Sequence, residues 1–179
     1  FQTSSILQQI RKRDPASHKG QNGRLFVIAG SEKYHGALLL AVGVASRIVD
    51  IVYVYTTAEN QALIGKLKSE TATFISVQAE ELPFTIANAD AILIGPGMSE
   101  SEETEKLLAD IFNLEDKKIV ADATALWMLG NTNLQSEICN LKSKIILTPL
   151  TREFELLFLC APTADNALAM AMKYNCIIV

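Results

Sequence analysis

Cysteine, histidine and tryptophan are scarce in this chain of 179 residues, and each shortage removes a class of chemistry. The three cysteines (Cys139, Cys160, Cys176) are odd in number, widely spaced and set in apolar patterns. That argues against a disulfide framework or a zinc site and for a reducing, cytoplasmic setting. Of the two histidines, His35 lies in a loop with no visible partner, which supports no acid–base assignment by itself. Basic runs are absent except for Arg11-Lys12-Arg13, a solvated edge of an N-terminal segment, and the net charge is −4. Neither nucleic acid nor an anionic membrane is an expected partner. The longest apolar stretches, such as Ala37 to Ala45, are too short to span a bilayer. No signal peptide is visible; Phe1 is not an initiator Met, so the start reads as trimmed or left out. Two nucleotide-binding signatures are missing too: there is no Walker A sequence, and Gly30 and Gly36 do not fit G-x-G-x-x-G.

What remains is an ordinary globular composition, nearly half apolar and one fifth charged, of a length that suits one domain. After an amphipathic start (Ile6, Leu7, Ile10), seven apolar, β-branched runs read as buried strands. They are Leu25–Ala29, Ile51–Tyr55, Thr73–Val77, Ala91–Ile94, Lys118–Ala121, Lys144–Leu147 and Cys176–Val179. Helical patterns fall between them at Ala37–Ile48, Asn60–Leu67, Glu102–Phe112, Thr124–Leu129, Leu134–Leu141, Thr151–Leu157 and Asp165–Lys173. Regular alternation of this kind predicts a doubly wound α/β sandwich with a mainly parallel sheet.

Ligands of such sheets bind beyond the carboxyl ends of the strands. The unusual residues of this chain gather there. Gly30 to Ala37 follows the first strand, Gly95-Pro96-Gly97-Met98 the fourth, Asp122 to Leu126 the fifth, and Thr148-Pro149 with Glu153 the sixth. Glycines at such turns let a ligand lie against backbone, and a helix start offers free N–H groups to an anion. Asp122 suits a helix cap, a ligand hydroxyl or a magnesium-bound water. Glu153 reads either as half of a capping box or as an outer-shell magnesium ligand. For Lys19 and Arg24 a phosphate contact competes with a plain surface role. Glu100, Glu102 and Glu103 are explained by the dipole of the helix they open, and Trp127 by the core.

In that order the blocks resemble the ADP/ATP-dependent NAD(P)H-hydrate dehydratases of the ribokinase-like, carbohydrate-kinase-related superfamily. The resemblance rests on His18-Lys19-Gly20-x-x-Gly23-Arg24, Val27-Ile28-Ala29-Gly30-Ser31, Tyr34-x-Gly36-Ala37 and Ile94-Gly95-Pro96-Gly97-Met98. It continues through Asp122-Ala123-x-Ala125-Leu126 and Leu147-Thr148-Pro149-x-x-x-Glu153-Phe154. It implies a three-layer α/β/α fold and a repair reaction, in which a nucleotide phosphorylates the ring hydroxyl of hydrated NADH or NADPH and phosphate elimination restores the ring. It further implies Tyr34, Gly36, Ala37, Gly97, Asp122 and the Leu150 position around the substrate, and Glu153 organising the magnesium of ADP or ATP. A homo-oligomer is expected on the same ground.

Three departures accompany the likeness. Thr124 stands where the family usually has Asp, and Leu150-Thr151-Arg152 where it has His-Pro-Gly. No glycine follows Gly130, so the Gly-Thr-Gly-Asp block with the catalytic Asp is expected beyond Val179. Cys176–Val179 reads as a central strand, an edge a domain rarely exposes, so residues 1–179 are read as one ribokinase-like domain lacking its C-terminal part. Leu150 in place of the expected His leaves room for a ribokinase-like kinase of a sugar or hydroxymethylpyrimidine, and the missing block for a non-catalytic nucleotide-binding module.

Overall fold

A computed structural model describes residues 13–70, 73–131 and 144–179. The elements run β1 (Arg24–Ile28), α1 (Gly36–Ile48), β2 (Ile51–Tyr55), α2 (Ala58–Leu67) and β3 (Phe74–Ser76). A 3₁₀ turn at Ala79–Glu81 leads into α3 (Leu82–Asn88), followed by β4 (Ala91–Ile94), α4 (Glu102–Phe112), β5 (Lys118–Ala121) and α5 (Thr124–Asn131). The chain closes with β6 (Lys144–Leu147), α6 (Thr151–Phe158), α7 (Ala164–Lys173) and β7 (Ile177–Ile178). The predicted segments Ile6–Ile10 and Leu134–Leu141, and Cys139, lie outside the described residues.

All seven predicted strands are present in one sheet of order β3-β2-β1-β4-β5-β6-β7, and every pairing is parallel. Alternate strand residues serve opposite faces, and both faces are covered. Val27, Ala29, Val52 and Val54 pack under Leu38 and Val42 of α1 and Ile64 of α2. Phe26, Ile28, Ile92, Ile94, Ile119 and Leu147 pack on the other side against α4, α5 and α6, through Leu108, Ile111, Leu126, Leu129 and Phe154. This is the expected α/β/α sandwich.

The strand order places the site. The chain winds outward from β1 to β3, then returns to β4 beside β1 and winds the other way. The loops after β1 and β4 therefore diverge at a topological switch point, where doubly wound sheets open a crevice.

Two expectations differ from the structure. Residues 82–88 form a helix that the sequence pattern does not mark, because α3 is seven residues long, contains Pro83 and leaves Phe84 exposed. Proline is tolerated in a first turn, where its missing N–H would be unpaired anyway. The Glu81 carboxylate accepts a hydrogen bond from the Gln78 N–H at 2.8 Å and stabilises the entry turn. Trp127 is not core: it is 39% exposed on α5, whose buried residues are Ala125, Leu126, Met128 and Leu129.

Candidate active site

Backbone hydrogen bonds between consecutive strand ends fix the loops at the switch point. The Gly30 N–H donates to the Pro96 carbonyl at 2.8 Å and the Gly95 N–H to the Ile28 carbonyl at 3.2 Å. Asp122 N–H reaches the Ile94 carbonyl at 3.1 Å, and Thr148 N–H the Ala121 carbonyl at 3.2 Å. The four blocks singled out in the sequence are thus one continuous ledge.

Gly95 has φ +116°, and a Cβ there would stand 1.9 Å from the Asp122 carbonyl oxygen and 2.7 Å from the Ala125 Cβ. No side chain fits between β4 and the start of α5. Gly97 has φ +68°, and its Cβ position lies 3.0 Å from the Tyr34 carbonyl oxygen and 3.4 Å from the Ala37 Cβ. Three predicted site residues from two loops, Tyr34, Ala37 and Gly97, therefore meet. Gly36 opens α1 beside them with nothing within 4 Å of where its Cβ would be. Tyr34 is half exposed, and its N–H donates to Ser31 Oγ at 3.2 Å.

Asp122 continues the ledge toward β6. Its Oδ1 accepts from Thr148 Oγ1 at 2.8 Å, while its carbonyl accepts the Ala125 N–H at 3.1 Å. The carboxylate is held across two strands instead of capping α5 through its side chain. Thr124, standing where the resemblance expects Asp, donates from Oγ1 to the Met98 carbonyl at 2.8 Å and ties α5 to the Gly95–Met98 turn. Glu153 Oε2 accepts the Leu150 N–H at 2.7 Å, half of a capping box that fixes the entry of α6. Its Oε1 has no partner among the described residues. Leu150 projects from the same turn and is 74% exposed.

The opening part of the first block is elsewhere. Gly20 N–H, Asn22 N–H and Asn22 Nδ2 all donate to Asp50 Oδ2 at 3.0 Å. Arg24 pairs with Asp90 at 3.0 Å. These residues lie at the amino ends of β1, β2 and β4, opposite the site. Lys19 and Arg24 are therefore not at the ledge, and His18–Arg24 is a structural loop. Hydrogen bonding explains the local acidity: the Asn22 N–H leads in holding the Asp50 carboxyl below its usual range, and the Arg24 side chain does so for Asp90.

The turn after β2 carries a second opening that the sequence blocks do not mark. A cavity of about 430 Å³ opens between the ends of β1 and β2 and the start of α4, with Gly30, Thr56, Thr57, Glu59, Met98 and Glu103 in its wall. The predicted Tyr34, Gly36, Ala37, Gly97, Asp122 and Leu150 do not line it, although Gly30 and Met98 belong to the same loops. Tyr55 forms part of the wall, and its hydroxyl pKa is raised by burial first and then by Glu103 and Glu80. Behind the wall Asn60 is fully buried, with Nδ2 donating to the Ser31 carbonyl at 3.0 Å and Thr56 Oγ1 at 3.2 Å. Its Oδ1 lies 2.6 Å from His35 Nδ1. The signal for this turn was a polar Thr-Thr-x-x-Asn directly after a strand.

The sequence model of the NAD(P)H-hydrate dehydratase family matches residues 25–179. This chain belongs to that family. The chain is 33% identical over 155 residues to an ADP-dependent (S)-NAD(P)H-hydrate dehydratase of Streptococcus thermophilus, covering 84% of this chain and 54% of the relative. It is 29% identical over 182 residues to the bifunctional NAD(P)H-hydrate repair enzyme Nnr of Methanocaldococcus jannaschii, covering 96% and 35%. The fold agrees with a ribokinase-like superfamily protein of Enterococcus faecalis at a TM-score of 0.85 and 24% identity, covering 98% of this chain and 63% of that one. It agrees also with an ADP/ATP-dependent NAD(P)H-hydrate dehydratase of Bacillus subtilis, co-crystallised with ATP and Mg²⁺, at 0.76 and 25%, covering 98% and 64%. This member of the dehydratase family thus spans about a third to a half of those two curated relatives.

Proposed function

We propose that the protein carrying this chain dehydrates hydrated NADH or NADPH with ADP or ATP as phosphoryl donor, and that residues 1–179 form one ribokinase-like unit of it. The meeting of Tyr34 and Ala37 with Gly97 at the switch point carries this reading, together with the family match over residues 25–179. The Gly97 turn packs against Tyr34 and Ala37, and the open start of α1 at Gly36 leaves bare backbone for a flat ring. Asp122, oriented by Thr148, offers its second carboxylate oxygen to a ring substituent, and the exposed Leu150 adds an apolar flank.

Among the described residues no three His, Cys, Asp or Glu side chains group to hold a metal ion. Glu153, whose Oε1 has no partner among the described residues, would be the residue to meet the water shell of magnesium carried on the nucleotide's phosphates. Magnesium there supplies charge neutralisation for a transfer to the ring hydroxyl, and the chain's part is positioning and exclusion of water. A cytoplasmic location and assembly of identical copies belong to the same reading. No helix among the described residues is long and apolar enough to cross a membrane.

The test is to supply hydrated NADH or NADPH with magnesium and either ATP or ADP, and to follow the return of dihydronicotinamide absorbance alongside nucleotide consumption. Nucleotide-dependent restoration is expected. A phosphorylated product that persists without eliminating phosphate would show a kinase instead.

A further inference from the structure

Helix α1 begins in an unusual way. Its N-cap is His35, not Ser, Thr, Asp or Asn, and the imidazole makes no capping bond to the helix. The ring is turned back to the buried Asn60, with His35 Nδ1 2.6 Å from Asn60 Oδ1. The polarity of this contact follows from the rest of the network. The Ser31 carbonyl can only accept, so the atom of Asn60 facing it at 3.0 Å is the amide nitrogen. The same nitrogen faces Thr56 Oγ1 at 3.2 Å and Thr57 Oγ1 at 3.3 Å. The other amide atom is thus the oxygen, which has no proton, and the hydrogen of the short contact belongs to His35 Nδ1. In a neutral imidazole the remaining nitrogen, Nε2, is then a bare acceptor, and it has no partner among the described residues. A chain of fixed donors and acceptors running from Ser31 through Asn60 sets the tautomer of one histidine between Tyr34 and Gly36.

We propose that His35 Nε2 accepts a hydrogen bond from the carboxamide N–H of the dihydronicotinamide ring, and that Asn60 is a positioning residue that keeps that nitrogen an acceptor. This rests on the proposed function, because Tyr34 and Gly36 are the wall against which that reading places the ring. A carboxamide is the fitting group: it is neutral, it carries two donors, and its replacement by carboxylate leaves an acceptor facing an acceptor. The chain then recognises the amide form of the dinucleotide and discriminates against the acid form.

The experiment has two arms on the same protein. Side-chain nitrogen NMR of the ¹⁵N-labelled chain reads the tautomers, and exposed His18, the only other histidine, is the internal control. At neutral pH His35 is expected as the Nδ1–H tautomer with Nε2 unprotonated; an Nε2–H tautomer overturns the proposal. Calorimetry then compares hydrated NADH with its nicotinic-acid counterpart for the unaltered chain and for His35→Phe. Weaker binding of the acid form by about tenfold is expected in the unaltered chain. In His35→Phe the amide form is expected to lose about fivefold to tenfold and the discrimination to vanish. Discrimination that survives His35→Phe overturns the proposal while leaving the proposed function standing. Failure of the unaltered chain to bind either form overturns both. In Asn60→Asp, the carboxylate favours the doubly protonated ring, so amide-form affinity is expected to become pH-dependent. A merely structural Asn60 would not move that profile, and if the variant does not fold, His35→Phe decides alone.

Discussion

Replacing Gly95 by alanine puts the largest calculable strain on the smallest chemical change. The added methyl would sit 1.9 Å from the Asp122 carbonyl oxygen, 2.7 Å from the Ala125 Cβ and 3.0 Å from the Ala125 N, on a backbone with φ +116°. Two of these neighbours are main-chain atoms, so rotamer changes cannot relieve the clash. A non-glycine residue at strongly positive φ costs about 1–2 kcal/mol, and forcing a methyl into a packed interior costs roughly 1–3 kcal/mol more. A loss of roughly 2–5 kcal/mol follows from the two costs. In a domain of this size it lowers Tm on the order of 10 °C. Urea and thermal unfolding give the numbers, and Gly43→Ala is the control. At Gly43, inside α1, an added Cβ meets nothing within 4 Å, so that change is expected to stabilise by about 0.5–1 kcal/mol. If Gly95→Ala unfolds within about 1 kcal/mol of the parent chain, below that range, the tight β4–α5 approach is wrong.

Other outcomes are equally definite. Thr148→Val removes the 2.8 Å bond to Asp122 Oδ1 and is expected to cost about 0.5–1.5 kcal/mol in denaturant titrations. In turnover assays the same variant raises KM for the hydrated dinucleotide. Glu153→Gln keeps an acceptor for the Leu150 N–H, so stability stays within about 0.5 kcal/mol, while magnesium-nucleotide-dependent turnover falls. Glu153→Ala additionally loses about 1 kcal/mol of capping in the same unfolding measurement. Asp50 and Asp90 have folded-state pKa values below those of the unfolded chain. Their contribution is therefore complete above the ordinary carboxylate pKa and is lost as pH falls through the folded values. Unfolding free energy measured from neutral to acid pH should decline in that window, and less so in Asp50→Asn and Asp90→Asn. An unchanged slope would contradict the hydrogen-bonded carboxylates.

The core and the ledge were legible because both are local in the chain. Continuous β-branched runs such as Ile51–Tyr55 read as strands of a sheet covered on both faces, and polar, glycine-bearing breaks after them mark the carboxyl edge. Gly97 was readable as a close-approach position, though not that Tyr34 and Ala37 are what it approaches. What escaped depends on contacts distant in sequence. Asp50 reaches back to Gly20 and Asn22, which turns His18–Arg24 into a loop at the far end of the sheet. Asp122 has a cap-like position, but Thr148, 26 residues away, takes its side chain. His35 looked unpartnered because its partner, Asn60, is 25 residues on, in the first turn of α2. Helix α3 escaped for the opposite reason: it is too short for its periodicity to outweigh Pro83.

The claim most exposed to test is that the ledge formed by Tyr34, Ala37, Gly97 and Asp122 receives the hydrated nicotinamide ring. Backbone amide NMR of the chain during titration with hydrated NADH measures it directly. Saturable shifts are expected at residues 34–37, 95–98 and 122–124, with Gly97→Ala weakening the binding by pushing on Tyr34. Saturable shifts that avoid those residues, or no binding at all, would contradict it.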